Sequence, residues 1–237
     1  MSFEKTYNSD LAKLLVGLPE PETYLNIELE KIRERALSLN NSREKMSKGY
    51  QMVLEGLAQA FPDIDLNDPN LKGSPDRMAR ALIEICSGLG TKEEEIFSTT
   101  FPAEDYNQVI ILKNIDFVSL CSHHFFPFTG KASVGYLPDT TNPDESRVVG
   151  LSKLARIVDC HAQRPQLQER LSYNVMKAIE KNLNPAGVMV VVTGNHGCLN
   201  CRGAKKENAE MITSALSGKF KDDSKLRKEF LSLIKEN

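Results

Sequence analysis

The stretch Val188-Met189-Val190-Val191-Val192-Thr193 (VMVVVT) decides the fold class. It is short, apolar and rich in β-branched side chains, the composition of a strand. Asn184-Pro185-Ala186-Gly187 stands directly before it and stops the segment that precedes. That segment, opened by Pro165, carries Leu167, Leu171, Val175, Ile179 and Leu183 at i, i+4 intervals, which predicts a helix.

Working outward, residues 151 to about 161 predict another helix, and 109–112, 117–120 and 132–137 are short β-favouring runs with polar or glycine breaks between them. Thr140 to Ser146 (TTNPDES) is a polar loop. Gly203 onward predicts a last strand, and 224–235 a terminal helix. Residues 1–95 read as helical. Leu25, Ile27, Leu29 and Ile32 sit among charges in a polar helix, and Asn41 with Glu44 three residues on has the form of a capping box opening a second. Ser74-Pro75 starts a third, which fades at Gly88 and Gly90. The expectation is an N-terminal helical region, 1–95, then a domain over 96–237. Its order, strand-strand-helix-helix-strand-strand, makes the chain α+β, with helices on one face of an antiparallel sheet.

Over 237 residues, 41% apolar and 26% charged composition allows a real core. A formal charge of −2 gives no sign of a nucleic-acid or membrane binder, which usually carries a basic excess. No apolar run approaches a membrane span, and MSFEKTYNSD lacks the pattern of a signal peptide. A cytoplasmic protein with reduced thiols is the expectation, so its five cysteines are tested as metal ligands before disulfides.

Two of the four histidines stand side by side in Cys121-Ser122-His123-His124-Phe125-Phe126. Cys121 and His124 have the spacing of a zinc half-site, and the other half must come from His196-Gly197-Cys198-Leu199-Asn200-Cys201. A closed structural site would use Cys121, His124, Cys198 and Cys201; a catalytic one would use three ligands and leave a place for water. If 196–202 is an extended strand, Cys198 and Cys201 point to opposite faces, which favours three. A histidine pair beside two buried free thiols is the bland alternative.

Lys153 and Arg156 share a face near the start of a helix, where free N–H groups attract anions, and Arg202 and Arg77 add further cations. A solvated basic face is the plain alternative. Gln168-Glu169 opens the long helix: the carboxylate suits either the helix dipole or, with the amide, a purine edge bearing N–H donors.

Taken in order, Cys-x-His-His at 121–124, Pro-Phe-x-Gly-Lys at 127–131 with Gly-Tyr-Leu-Pro at 135–138, Gly-Leu-Ser-Lys-Leu-Ala-Arg at 150–156, Gln-x-Gln-Glu-Arg-Leu at 166–171 and His-x-Cys-x-x-x-Arg-Gly at 196–203 resemble GTP cyclohydrolase I. The likeness runs from about Gly49 to the C-terminus, and Gly73-Ser74-Pro75-Asp76-Arg77 is similar to that family's Gly-Thr-Pro-x-Arg helix start.

The resemblance implies the tunnelling fold, in which sheets from several subunits close a barrel, and a homodecamer with active sites at subunit interfaces. It implies that Cys121, His124 and Cys198 bind zinc, with Cys201 left out. Water activated by the metal would attack C8 of the guanine of GTP; His123 would move protons, His196 would assist, and Ser152 would support the later ribose rearrangement. Glu169 with Gln168 would bind the guanine edge, and Lys153, Arg156, Arg202 and Arg77 the triphosphate. The products would be formate and 7,8-dihydroneopterin triphosphate, a pterin of the kind used in tetrahydrofolate biosynthesis.

Four positions depart from the family pattern. Ser122 stands where Glu is usual, Cys201 where an apolar residue is more common, Gly197 where a bulkier one is normal, and 140–146 is long. Ser122 keeps open an enzyme of the same fold with another purine substrate or an early stop; Cys201 keeps open a non-catalytic scaffold with a closed zinc site.

Overall fold

The computed structural model describes residues 21–141 and 145–235, with side chains of the first helix from Leu29 onward. Readings that fell on 1–20, on the side chains of Leu25 and Ile27, and on 142–144 of the polar loop lie outside the described residues. The chain divides into two compact units, Met1–Arg80 and Ala81–Asn237.

In the first unit, helix α1 runs unbroken over Pro21–Ala60, so Asn41 does not open a new helix. No proline or glycine interrupts it between Pro21 and Gly49. The neighbouring Asn40 amide instead donates to Glu44 Oε1 at 3.0 Å, one turn along the outside of the same helix. Helix α2, Ser74–Ile85, starts at the expected Ser-Pro pair and spans the division between the units. Asp76 in its first turn meets Arg43 and Arg80, each at 3.1 Å.

The second unit is Ala81–Asn237. Ile96 and Phe97, at the end of the short helix α3 (Glu93–Ile96), are already part of its core. Strands β1 (Phe101–Pro102) and β4 (Arg147–Val148) form a small antiparallel pair. The main sheet has the order β5 (Pro165–Gln166), β2 (Ile110–Cys121), β3 (Pro127–Leu137), β6 (Gly187–His196), β7 (Met211–Gly218). Every pairing is antiparallel except β2 with β5. The two runs expected at 109–112 and 117–120 are one strand. Their break is a register shift between Leu112 and Ile115, where Asn114 takes φ 58°, a β-bulge rather than a loop.

Side chains alternate across this sheet, and each face has its own cover. Ala132, Val134, Tyr136, Val188, Val190 and Val192 face helices α4 (Leu151–Ala162) and α5 (Gln168–Leu183), whose Leu154, Ile157, Leu171 and Ile179 are fully buried. Each such aliphatic side chain contributes about 1.5–3 kcal/mol by leaving water. Helix α5 stops at Asn184, which takes the left-handed conformation at φ 44°. It starts at Gln168 rather than at Pro165, because Pro165 and Gln166 are held as β5.

Helices α4 and α5 lie on one face of the sheet, and the opposite face is covered by the C-terminal helices. Phe220 in α7 (Lys219–Asp222) and Phe230 in α8 (Ser224–Lys235) pack with Leu137 and Met189, and Phe230 lies directly over Gly135. The result is an α+β unit. Among the described residues no helix is long and apolar enough to cross a membrane.

Candidate metal centre

The β2–β3 hairpin turns through Ser122-His123-His124-Phe125-Phe126. Cys121 N–H donates to Phe126 O, and Phe125 N–H to Cys121 O, both at 2.8 Å. Phe125 completes the reversal in the left-handed region, φ 56°. Cys121 is therefore fixed at the end of a strand and buried, while His123 and His124 project from the turn and are exposed. Their rings stand edge to face, 6.2 Å apart.

Pairing of β3 with β6 sets Phe128 opposite His196, which delivers the segment after β6 to the same end of the sheet. Residues Gly197–Asn200 form one helical turn, α6, and bring Cys198 Sγ to 3.8 Å from Cys121 Sγ. His124 Nδ1 is 4.0 Å from Cys121 Sγ. One ligand atom from each of Cys121, His124 and Cys198 fits within a span of 4.8 Å. Zinc bound tetrahedrally at about 2.3 Å from two thiolates sets them roughly 3.8 Å apart. The residues thus fit zinc in both chemistry and spacing. With no cation present, burial and the adjacent Cys121 sulfur push the Cys198 thiol up; a cation reverses that preference.

Cys201 is not in this group, though not for the reason expected. Residues 197–200 are a helical turn and not an extended strand, so alternation of faces does not separate the two cysteines. Cys201 is exposed, and its thiol donates to Gly197 O at 2.7 Å. Nor do His196 and Cys198 share a strand face. Gly197 has a steric reason: a Cβ there would lie 2.8 Å from Pro127 O.

His196 stacks on Phe128, with ring centroids 4.3 Å apart and planes 7° from parallel. Its Nε2 is 2.8 Å from Gln168 Oε1. Burial lowers its pKa, opposed by the nearby Glu169 charge. Gln168 is only 1% exposed, and its Nε2 donates to Val192 O at 3.0 Å and Met211 O at 2.7 Å. Both ends of this amide are engaged inside the chain. Glu169, the next residue, is exposed in the first turn of α5.

Gln166 and Arg170, within the quoted Gln-x-Gln-Glu-Arg-Leu motif, received no role from the sequence. Gln166 Nε2 donates to His161 O at 2.8 Å, and Arg170 Nε donates to Gln166 Oε1 at 2.6 Å. Arg170 Nη2 reaches Ser122 Oγ at 3.3 Å, and Ser122 N–H donates to Gln166 O at 3.0 Å. Strand β5 and the start of α5 thereby hold the hairpin that carries Cys121 and His124, by backbone and side chain.

Among the described residues no hydrogen bond or ion pair joins Ser152, Lys153, Arg156 or Arg202 to the three ligands. Arg156 opens instead onto a hollow lined by Thr91, Glu95, Asp159 and Gln163. In the first unit, Arg77 donates to Lys72 O at 2.9 Å, Asn70 O at 3.0 Å and Ser74 Oγ at 2.6 Å, closing its own loop.

The sequence profile of the family GTP cyclohydrolase I matches residues 38–235. A protein called GTP cyclohydrolase 1 in Streptococcus agalactiae serotype V is 42% identical over 195 residues, 82% of this chain and 98% of that protein. One of the same name in Brevibacillus brevis is 40% identical over 200 residues, 83% of this chain and 100% of its own. Another in Desulforamulus reducens is 44% identical over 190 residues, 80% and 96%.

Proposed function

Because the chain belongs to the GTP cyclohydrolase I family and is an enzyme of that kind, we propose that it hydrolyses the guanine imidazole ring of GTP at C8, releases formate and closes 7,8-dihydroneopterin triphosphate. The observation that carries the zinc part is the donor set, two sulfurs and one imidazole within 4.8 Å of one another. Bound there, zinc supplies the Lewis acidity that makes water a nucleophile near neutral pH.

The chain's own residues do the rest. His123, exposed beside His124 on the hairpin, takes and returns protons, and His196 assists from the end of β6. Glu169 presents an exposed carboxylate to the guanine N–H edge. Ser152 supports the ribose rearrangement, and Lys153, Arg156 and Arg202 hold the triphosphate. Arg77, engaged with loop carbonyls, is the least available of the four cations.

The proposal includes a cytoplasmic homodecamer of tunnelling-fold barrels with sites shared between subunits, and no nucleic acid or membrane. Strand β7 stands at the sheet edge, and edges invite pairing with another chain. Val118 and Ile212, 45% and 68% exposed, line a hollow of about 710 Å³ on the face that carries α8; exposed apolar surface of this kind marks a contact between proteins.

The test is incubation of metal-analysed protein with GTP, measuring formate and, after oxidation, pterin fluorescence. Both signals with about one zinc per chain support the proposal. Formate without pterin means a reaction that stops early. Neither signal from zinc-loaded protein overturns it.

A further inference from the structure

The neighbourhood of Gln168 carries more than the proposed reaction uses. A glutamine amide has a donor end and an acceptor end, and the hydrogen-bond network decides which faces where. Val192 O and Met211 O, at 3.0 and 2.7 Å, can only accept, so the NH₂ end must face them. The carbonyl end then faces His196, with Oε1 2.8 Å from Nε2. An amide oxygen cannot donate, so the proton of this hydrogen bond belongs to the imidazole.

We propose that Gln168 is a positioning residue that holds His196 as its Nε2–H tautomer and leaves Nδ1 as the ring's acceptor, rather than a residue that reads the substrate. The two nitrogens of a neutral imidazole are inequivalent, and the partner of one fixes the state of the other. Phe128, stacked on the ring at 4.3 Å, fixes its plane, and Gln168 fixes its rotation within that plane. The amide is in turn anchored across β6 and β7, since Val192 belongs to one and Met211 to the other.

Gly194 makes the arrangement possible. A Cβ at that position would collide with Gln168 Oε1 and lie 3.1 Å from its Cδ, so the amide reaches His196 only because β6 has no side chain there. The sequence holds both residues but gives no sign that one makes room for the other. Gln168 is 1% exposed, and both N–H donors of its amide are already given to Val192 O and Met211 O, so it has no donor left for a ligand.

The functional consequence rests on the proposed reaction, in which His196 handles protons. The structural part does not, and the experiment separates them. Protein labelled with ¹⁵N only at its four histidines is examined by magic-angle-spinning NMR, which is indifferent to assembly size; the His196 signal is identified by its disappearance in His196→Asn. A protonated Nε2 and a bare Nδ1 in the wild type are expected, with both tautomers appearing in Gln168→Leu. In turnover, Gln168→Leu is expected to lower kcat at least about tenfold while KM for GTP moves less than about threefold.

An Nδ1–H tautomer in the wild type overturns the proposal with no variant needed. So does a Gln168→Leu protein whose KM rises tenfold at unchanged kcat, the pattern of lost substrate binding. If Gln168→Leu does not fold, Gly194→Ala displaces the amide without removing it and is expected to mix the tautomers in the same way. Absence of formate release by the wild type defeats the proposed reaction and leaves the tautomer result standing.

Discussion

Cys121 Sγ and Cys198 Sγ lie 3.8 Å apart although 77 positions separate them in the chain. The hairpin places one and the turn after β6 the other, with β3 paired to both strands. Two thiolates this close would repel, and a cation held between them would offset that repulsion. Cys198→Ser is expected to reduce zinc from about one per chain to near none and to lower turnover at least about 1000-fold. Cys201→Ser is expected to keep both, because its thiol is occupied by Gly197 O at 2.7 Å. Metal analysis of both variants after gel filtration decides the matter; zinc kept by Cys198→Ser and lost by Cys201→Ser reverses the assignment.

Gly197 gives a second test at the same turn. A methyl group there would press on Pro127 O at 2.8 Å, and backbone on both sides has little room to move. Gly197→Ala is expected to cost about 1–3 kcal/mol, a fall of several degrees in Tm, with weakened zinc retention because Cys198 is the next residue. Unchanged melting and unchanged zinc would show that the turn is looser than its contacts imply.

The sequence revealed the features whose signal is local. VMVVVT became the core of β6, and the i, i+4 leucines became the buried face of α5, because periodicity and burial report the same face. The pairing of Cys121 with His124, which fall in one group with Cys198, was legible because it is a local spacing. Four features were not. The break at Asn114 is a single bulge, which in sequence resembles a loop. The last strand starts at Met211 rather than near Gly203, where a glycine at φ 61° belongs to a turn. The turn Gly197–Asn200 has 4 residues, too few to show a period. The amphipathic pattern of α8 says that it buries a face, but not which side of the sheet receives it. Gln168 shows a deeper limit: an amide that binds a ligand and one that orients a histidine are the same letter.

Ser122 departs from the family pattern, and its neighbour shows what the departure changes. Arg170 Nη2 is 3.3 Å from Ser122 Oγ, and among the described residues Arg170 makes no ion pair. Ser122→Glu is expected to supply one, stabilising the protein by about 0.2–1 kcal/mol because the pair is exposed. The gain should shrink in high salt and vanish when Arg170 is also replaced by alanine, so a double-mutant cycle at low and high ionic strength measures it. An equal gain in the absence of Arg170 would assign the effect to something other than this pair.

His161 is expected to contribute to the loss of stability in acid. The ring is 4% exposed, and burial, reinforced by Arg164, pushes its pKa down to about 4. Glu93 Oε1 lies 3.1 Å from its Nε2, yet neither ring nitrogen has a hydrogen-bond partner among the described residues, and burial outweighs the carboxylate. Above the ordinary histidine pKa, near 6.5, both folded and unfolded chains hold His161 neutral, so it contributes no slope. Between 6.5 and about 4 the unfolded chain takes up a proton that the folded chain refuses, and stability falls with pH by up to about 1.4 kcal/mol per unit. The loss reaches on the order of 3 kcal/mol at the lower end. It falls on the segment that steadies the hairpin carrying Cys121 and His124, since His161 O receives Gln166 Nε2 at 2.8 Å. Denaturation midpoints of wild type and His161→Asn, followed from pH 7 to pH 4, should diverge, with the wild type losing stability faster as acid is added. Carboxylates elsewhere affect both proteins equally, so parallel curves would mean that His161 is protonated in the folded chain and that Glu93 holds it there.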